Sequence, residues 1–133
     1  PERLRSVMLT TFDLVDDVSW LQQELRLPRD VPLTLCAHPW PGHAEQREEM
    51  ERSLAREFTD IVVHYPGGLS VVGTQVADEQ DDTFVEGASV HAKLLLLEFD
   101  DRLRVGVATA NLKQTSWRLM GEAVWVQDFP RAP

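Results

Sequence analysis

At 133 residues with 43% apolar side chains, the chain is long enough to bury one ordinary core and too short for two comfortable ones. Its net charge of −9 argues against broad nonspecific nucleic-acid binding, which relies on a basic surface to displace counterions, but leaves room for a local basic site. No apolar run approaches the roughly 20 residues of a membrane span, and Pro1-Glu2-Arg3-Leu4-Arg5 lacks a signal-peptide core, so the expectation is one soluble, intracellular domain over residues 1–133, with no membrane partner.

Ser6 to Leu14 is a strand candidate rich in apolar and β-branched residues. Asp16 or Asp17 then caps a helix in which Val18, Leu21 and Leu25 recur at helical spacing before Pro28 stops it. Pro32 precedes a short buried strand, Leu33 to Ala37, whose lone Cys36 is expected as a buried structural thiol. Pro39-Trp40-Pro41-Gly42 marks a loop, and His43 to Phe58 is helical, with Met50, Leu54 and Phe58 on one face. Asp60 to Tyr65 forms another strand, broken by Pro66-Gly67-Gly68, and Leu69 to Val76 a further one. The acidic run Asp78-Glu79-Gln80-Asp81-Asp82 is expected as a solvated, mobile surface loop, and the acids between Glu45 and Glu57 as a solvated helix face.

A hairpin follows, with strands near Ser89 to Phe99 and Leu103 to Ala110. Their nearly continuous apolar character predicts central strands covered on both faces. Ser116 to Met120 is a short helix or turn, and Glu122 to Phe129 a last strand. Strands alternating with helices imply an α/β domain with a mixed central sheet flanked by helices.

The chemistry concentrates in this hairpin. In a strand, side chains repeat with period two, so His91 and Lys93 share a face while Ala92 points away. A three-residue turn, Asp100-Asp101-Arg102, places Leu103 opposite Phe99, Val105 opposite Leu97, Val107 opposite Leu95, Thr109 opposite Lys93 and Asn111 opposite His91. On the reverse face, Arg104 meets Glu98, Gly106 meets Leu96 and Ala108 meets Leu94. Like meets like, and the one charge pair is attractive. An imidazole, an ammonium and an amide on one surface suit phosphate chemistry: a neutral imidazole attacks, while ammonium and amide meet charge developing on phosphate oxygens. The plainer alternative is polar side chains that simply meet solvent at the open end of a sheet.

His91-Ala92-Lys93, the apolar strand after it, and Arg102-Leu103-Arg104-Val105-Gly106-Val107-Ala108-Thr109-Ala110-Asn111-Leu112 resemble the first histidine-lysine-asparagine motif of the tyrosyl-DNA phosphodiesterase branch of the phospholipase D superfamily. Asn111 follows His91 by 20 residues, as in that branch. The likeness extends to Trp117 and Trp125, and more faintly to Thr11-Phe12-Asp13 through Trp20-Leu21; Gly67 to Glu86 looks like an insertion. The resemblance implies a phospholipase D-like half domain that resolves adducts at DNA 3′ ends, such as 3′-phosphotyrosyl linkages. It implies His91 as nucleophile, a covalent phosphohistidine, neither metal nor cofactor, and a nuclear setting.

Glu122 falls where the resemblance places a polar residue that orients the histidine. The family's residue is typically an amide, so this carboxylate either raises the basicity of the imidazole or is an ordinary strand-edge charge. The family's DNA-stacking aromatic has no clear counterpart, since Gly87, Ala88 and Ser89 occupy its region and only Phe84 is near. The family also uses a second such motif, whose histidine protonates the leaving group. Here His38, His43 and His64 lack a matching lysine and downstream asparagine and read as loop or surface histidines. The missing half lies elsewhere in a longer chain, comes from a second copy in a homodimer, or is absent from a non-catalytic module that binds phosphate or DNA ends.

Overall fold

The computed structural model describes residues 2–13, 15–38, 43–65 and 90–132. The first strand, β1 (Leu4–Thr11), leads through Asp17 into helix α1 (Val18–Leu25). The Asp17 carboxylate accepts a 2.9 Å hydrogen bond from the Trp20 amide, which satisfies one of the amides a helix start leaves open. At the other end Arg26 adopts a left-handed conformation with φ 51° and donates its N–H back into the helix, and Pro28 keeps the chain from resuming it. Strand β2 (Leu33–Ala37), helix α2 (Ala44–Glu57) and strand β3 (Ile61–His64) follow. Beyond residue 89 come the hairpin β4 (Lys93–Phe99) and β5 (Arg102–Ala108), helix α3 (Gln114–Leu119) and strand β6 (Val124–Pro130).

The six strands form one mixed sheet in the order β3-β2-β1-β4-β5-β6. β1, β2 and β3 are mutually parallel, and β4, β5 and β6 each run antiparallel to the preceding neighbour in that order. The parallel part follows from helical crossovers, the antiparallel part from short turns. Val7 and Leu9, Leu33, Leu35 and Ala37, and Leu95 point to one face. There they pack with Val18, Trp20 and Leu21 of α1 and with Met50, Leu54 and Phe58 from α2 and its end. The helical face expected for α2 is therefore the one buried, and its acids lie exposed.

Three expectations change. Cover on both faces is not found among the described residues: Met8, Val62, Leu103, Val107, Trp125 and Phe129 lie on the face opposite the core and are exposed. Cys36 sits on that uncovered side and is only half-buried, although burial still pushes its thiol pKa up.

The hairpin register differs by one residue. Its turn is Asp100-Asp101 alone, so Glu98 pairs with Leu103, Leu97 with Arg104, Leu96 with Val105, Leu95 with Gly106, Leu94 with Val107 and Lys93 with Ala108. Arg102 thereby joins the strand, where Glu2 at 2.5 Å, Asp101 at 2.9 Å and Asp128 at 3.3 Å receive its guanidinium. Glu98 finds Ser6 at 2.8 Å and Arg131 at 2.5 Å, while Arg104 forms a fork with Asp128 at 2.7 and 2.8 Å. The expected Arg104–Glu98 pair is replaced by partners on β1, β6 and the segment after β6. The strand expected from Leu69 to Val76, the acidic loop, the Pro39–Gly42 loop and Phe84 all lie outside the described residues.

Candidate active site

In open sheets with parallel strands, ligands gather at the carboxyl ends, where chain reversals bring different loops together. Here the carboxyl ends of β1 and β2 deliver Phe12, Asp13 and His38 to one edge of the sheet. Antiparallel β4 starts at that edge and β5 finishes there, which adds His91, Lys93 and Asn111.

His91 precedes β4 rather than lying in it. Its segment is held instead by Thr10, whose hydroxyl donates to the Ala92 carbonyl at 2.6 Å and accepts from the Leu94 amide at 2.8 Å. The Lys93 ammonium lies 3.2 Å from His91 Nδ1 and 3.5 Å from Nε2. An ammonium has only donors, so the ring nitrogen facing it must be an unprotonated acceptor. Lys93 is 6% exposed, and among the described residues no carboxylate pairs with it. His91 itself is exposed. A buried ammonium with no carboxylate partner among the described residues, beside an exposed imidazole, is a chemical arrangement able to hold an anion next to a group capable of nucleophilic attack.

Phe12 joins the parts. Its ring centroid is 4.9 Å from that of His38, in a stacked arrangement, and 4.9 Å from that of His91, tilted by 50°. The Lys93 ammonium is 5.7 Å from the same centroid, within cation–π range. His38 is 6% exposed rather than a surface histidine, because its ring turns in against Phe12, and burial lowers its pKa from the ordinary value.

Asn111 stands between buried Ala110 and Leu112. Its Oδ1 accepts from the main-chain amides of Phe12 at 3.2 Å and Asp13 at 3.4 Å, and its Nδ2 donates to Asp13 Oδ2 at 3.2 Å. Its carbonyl accepts from the Trp117 indole at 2.8 Å, which gives that tryptophan a concrete task. Lys113 pairs with the same Asp13 carboxylate at 3.4 Å. Glu122 lies just before β6, where its carboxylate receives the Thr109 hydroxyl.

The structure thus brings His91 and Lys93 into contact, ties Asn111 to the loop after β1 and directs Glu122 to Thr109. Sequence reasoning missed Phe12, Asp13, His38, Thr10 and Lys113. The usable signal was positional: Phe12, Asp13 and His38 directly follow the first two strands. A strand boundary placed at Leu14 instead of Thr11 concealed it for Phe12 and Asp13, and His38, though placed just after the strand ending at Ala37, was taken for a loop or surface histidine. Among the described residues no group of three His, Cys, Asp or Glu side chains is arranged to hold a metal ion, and no helix is long and apolar enough to cross a membrane.

Comparison with known proteins gives the family. Tyrosyl-DNA phosphodiesterase 1 of Arabidopsis thaliana is 25% identical over 114 residues, which cover 86% of this chain and 16% of that protein. The chain therefore spans well under two thirds of that curated relative's length. A family model described as tyrosyl-DNA phosphodiesterase matches residues 1–133, and on that match the chain belongs to the tyrosyl-DNA phosphodiesterase family.

Proposed function

We propose that residues 1–133 form the phospholipase D-like first half of a phosphodiesterase that acts on DNA 3′-end adducts, such as 3′-phosphotyrosyl linkages. The observation that carries this reading is the buried Lys93 ammonium, which has no carboxylate partner among the described residues and lies 3.2 Å from the His91 imidazole. A desolvated cation of this kind is completed by an anion, and a DNA end supplies one as phosphate.

In the reaction, a lone pair of the His91 imidazole forms a bond to phosphorus while the bond from phosphorus to the adduct oxygen breaks. The leaving oxygen takes a proton from a general acid of the second half. Water then hydrolyses the phosphohistidine. Lys93 neutralises a nonbridging oxygen throughout. A primary amide has two N–H donors and Asn111 commits one to Asp13, so the other remains for phosphate. Reaction at one ring nitrogen requires the proton on the other, with an acceptor to hold it there; the nitrogen that faces the Lys93 ammonium is the one that keeps its lone pair. Glu122 is the candidate for that role: the Thr109 hydroxyl occupies one of its two carboxylate oxygens, and a carboxylate can accept a further hydrogen bond on the other.

The second half comes from elsewhere in the same protein or from a homodimer partner. The match to only 16% of the curated relative favours the first source. A nuclear setting goes with a DNA-end substrate. The test is to incubate the full-length protein that contains residues 1–133 with a 3′-phosphotyrosyl oligonucleotide, follow cleavage, and map any trapped adduct by peptide analysis. Cleavage with an adduct on His91, both lost in His91→Ala, is the expected result. Turnover unchanged by His91→Ala would refute it. Salt-sensitive binding of phosphorylated ends without cleavage would assign the chain to the alternative, a non-catalytic end-binding module.

A further inference from the structure

We infer that Phe12 is a positioning residue for the His91 imidazole, and that Asn111 acts on the nucleophile through it. The kinetic consequence rests on the phosphodiesterase reading; the contact itself does not.

His91 is exposed and lies outside the regular ladder, so strand geometry does not orient its ring. The Lys93 ammonium draws the nitrogen edge of the ring toward it, at 3.2 and 3.5 Å, and leaves rotation of the ring plane about that contact open. Among the described residues, Phe12 is the side chain placed to fix that plane. It presents an aromatic surface 4.9 Å from the imidazole centroid at 50°, a tilted arrangement that favours one ring plane over its rotations.

Phe12 is itself held on three sides. Behind it stacks the buried His38 ring at 4.9 Å and 27°. Above it lies the Lys93 ammonium at 5.7 Å. Its main-chain N–H is bound by Asn111 Oδ1 at 3.2 Å. Despite its size Phe12 stays outside the hydrophobic core cluster and is only half-buried. Its aromatic surface serves the site edge rather than the fold. One side chain therefore touches the nucleophile and the phosphate cation together, and Asn111 sets where that side chain stands.

The experiment compares Phe12→Leu and Phe12→Tyr with the wild-type full chain. Leucine keeps an apolar side chain and removes the flat ring; tyrosine keeps the ring. The first readout is the NMR position of the His91 imidazole protons, assigned by loss of their signals in His91→Ala. They should lose their ring-current shift in Phe12→Leu and retain it in Phe12→Tyr. The second is the single-turnover rate of adduct formation on a 3′-phosphotyrosyl oligonucleotide, beside affinity for a 3′-phosphorylated end. Misplacing a nucleophile by a fraction of an ångström lowers the rate by about tenfold or more while leaving ground-state binding nearly intact. Phe12→Leu should show that split, and Phe12→Tyr should recover the rate.

His91 resonances unmoved in Phe12→Leu overturn the inference. So does an equal loss of affinity and rate, which would give Phe12 a merely structural role. If the wild type forms no adduct but its His91 signals move as expected, the contact stands and the phosphodiesterase reading is what fails.

Discussion

Replacing Lys93 with methionine separates what stabilises the fold from what binds the ligand. The Lys93 stem is buried and its ammonium has two favourable contacts, the His91 imidazole at 3.2 Å and the Phe12 ring at 5.7 Å. Losing them costs about 1.5–3 kcal/mol for the charge-assisted hydrogen bond and about 0.5–1 kcal/mol for the cation–π contact. Against this, the folded chain no longer desolvates an ammonium that has no carboxylate partner among the described residues, a penalty of about several kcal/mol. Methionine retains the packing of the stem. Folding stability should therefore stay level or rise by about 1–2 kcal/mol. Phosphate binding should behave oppositely, because removing one member of a buried charge pair weakens association by about 2–5 kcal/mol. That corresponds to about 30-fold or more in Kd.

The assays are urea denaturation, read as a midpoint shift at unchanged slope, and anisotropy of a 3′-phosphorylated oligonucleotide at several salt concentrations. The variant should also bind with a shallower salt dependence, by about one counterion. A Lys93→Met protein that loses about 3 kcal/mol of stability while its end-binding affinity stays within about threefold would refute the reasoning, since it would make Lys93 a structural cation.

Two further outcomes test the frame around the site. A Cβ added at Gly106 would lie 3.2 Å from Leu95 Cβ and 3.4 Å from its Cδ1. Gly106→Val should then cost about 1–3 kcal/mol by overpacking, measured by urea midpoint; a change within about 0.5 kcal/mol, the usual range for surface sites, would show that Gly106 does not face Leu95. Burial lowers the His38 pKa, so as pH falls through the ordinary histidine range the unfolded chain takes up a proton before the folded one does. The contribution of His38 to stability is full above the unfolded pKa and is lost progressively below it. From about pH 7 to about pH 5 the wild-type midpoint should fall more than that of His38→Gln, and equal slopes would argue that His38 is not buried neutral.

Local signals were legible wherever the competing physics was also local. The Asp17 cap, the Leu33–Ala37 strand and the buried Met50-Leu54-Phe58 stripe need only neighbours in sequence, and each emerged as read. The hairpin register did not. Pairing Arg104 with Glu98 was attractive when only β4 and β5 were considered. In the sheet, Glu98 is satisfied by Ser6 and Arg131, and Arg104 by Asp128. Those partners come from β1, β6 and the residue after it, so a two-strand comparison could not weigh them. The face left without cover among the described residues has a similar origin. An apolar strand reads as buried on both sides, but whether anything lies over the second side is decided by elements remote from it.

The site was legible as a motif and not as a constellation. His91 and Lys93 are two residues apart and do meet, although not through the strand alternation that first paired them, because β4 begins only at Lys93. Asn111 is the instructive case. Read along the hairpin, it is a donor waiting for phosphate; in the fold, its oxygen serves the amides of Phe12 and Asp13 and one N–H serves the Asp13 carboxylate. Most of its bonding capacity thus holds the loop after β1, and a single N–H is left for a ligand. In the proposed reaction the same amide anchors the ring inferred to orient His91 and contacts the phosphate that His91 would attack. Replacing Asn111 would disturb both at once, whereas Phe12→Leu removes the oriented ring and leaves the donor in place. That difference makes Phe12, rather than the motif residue, the sharper probe of how this half-site orders its nucleophile.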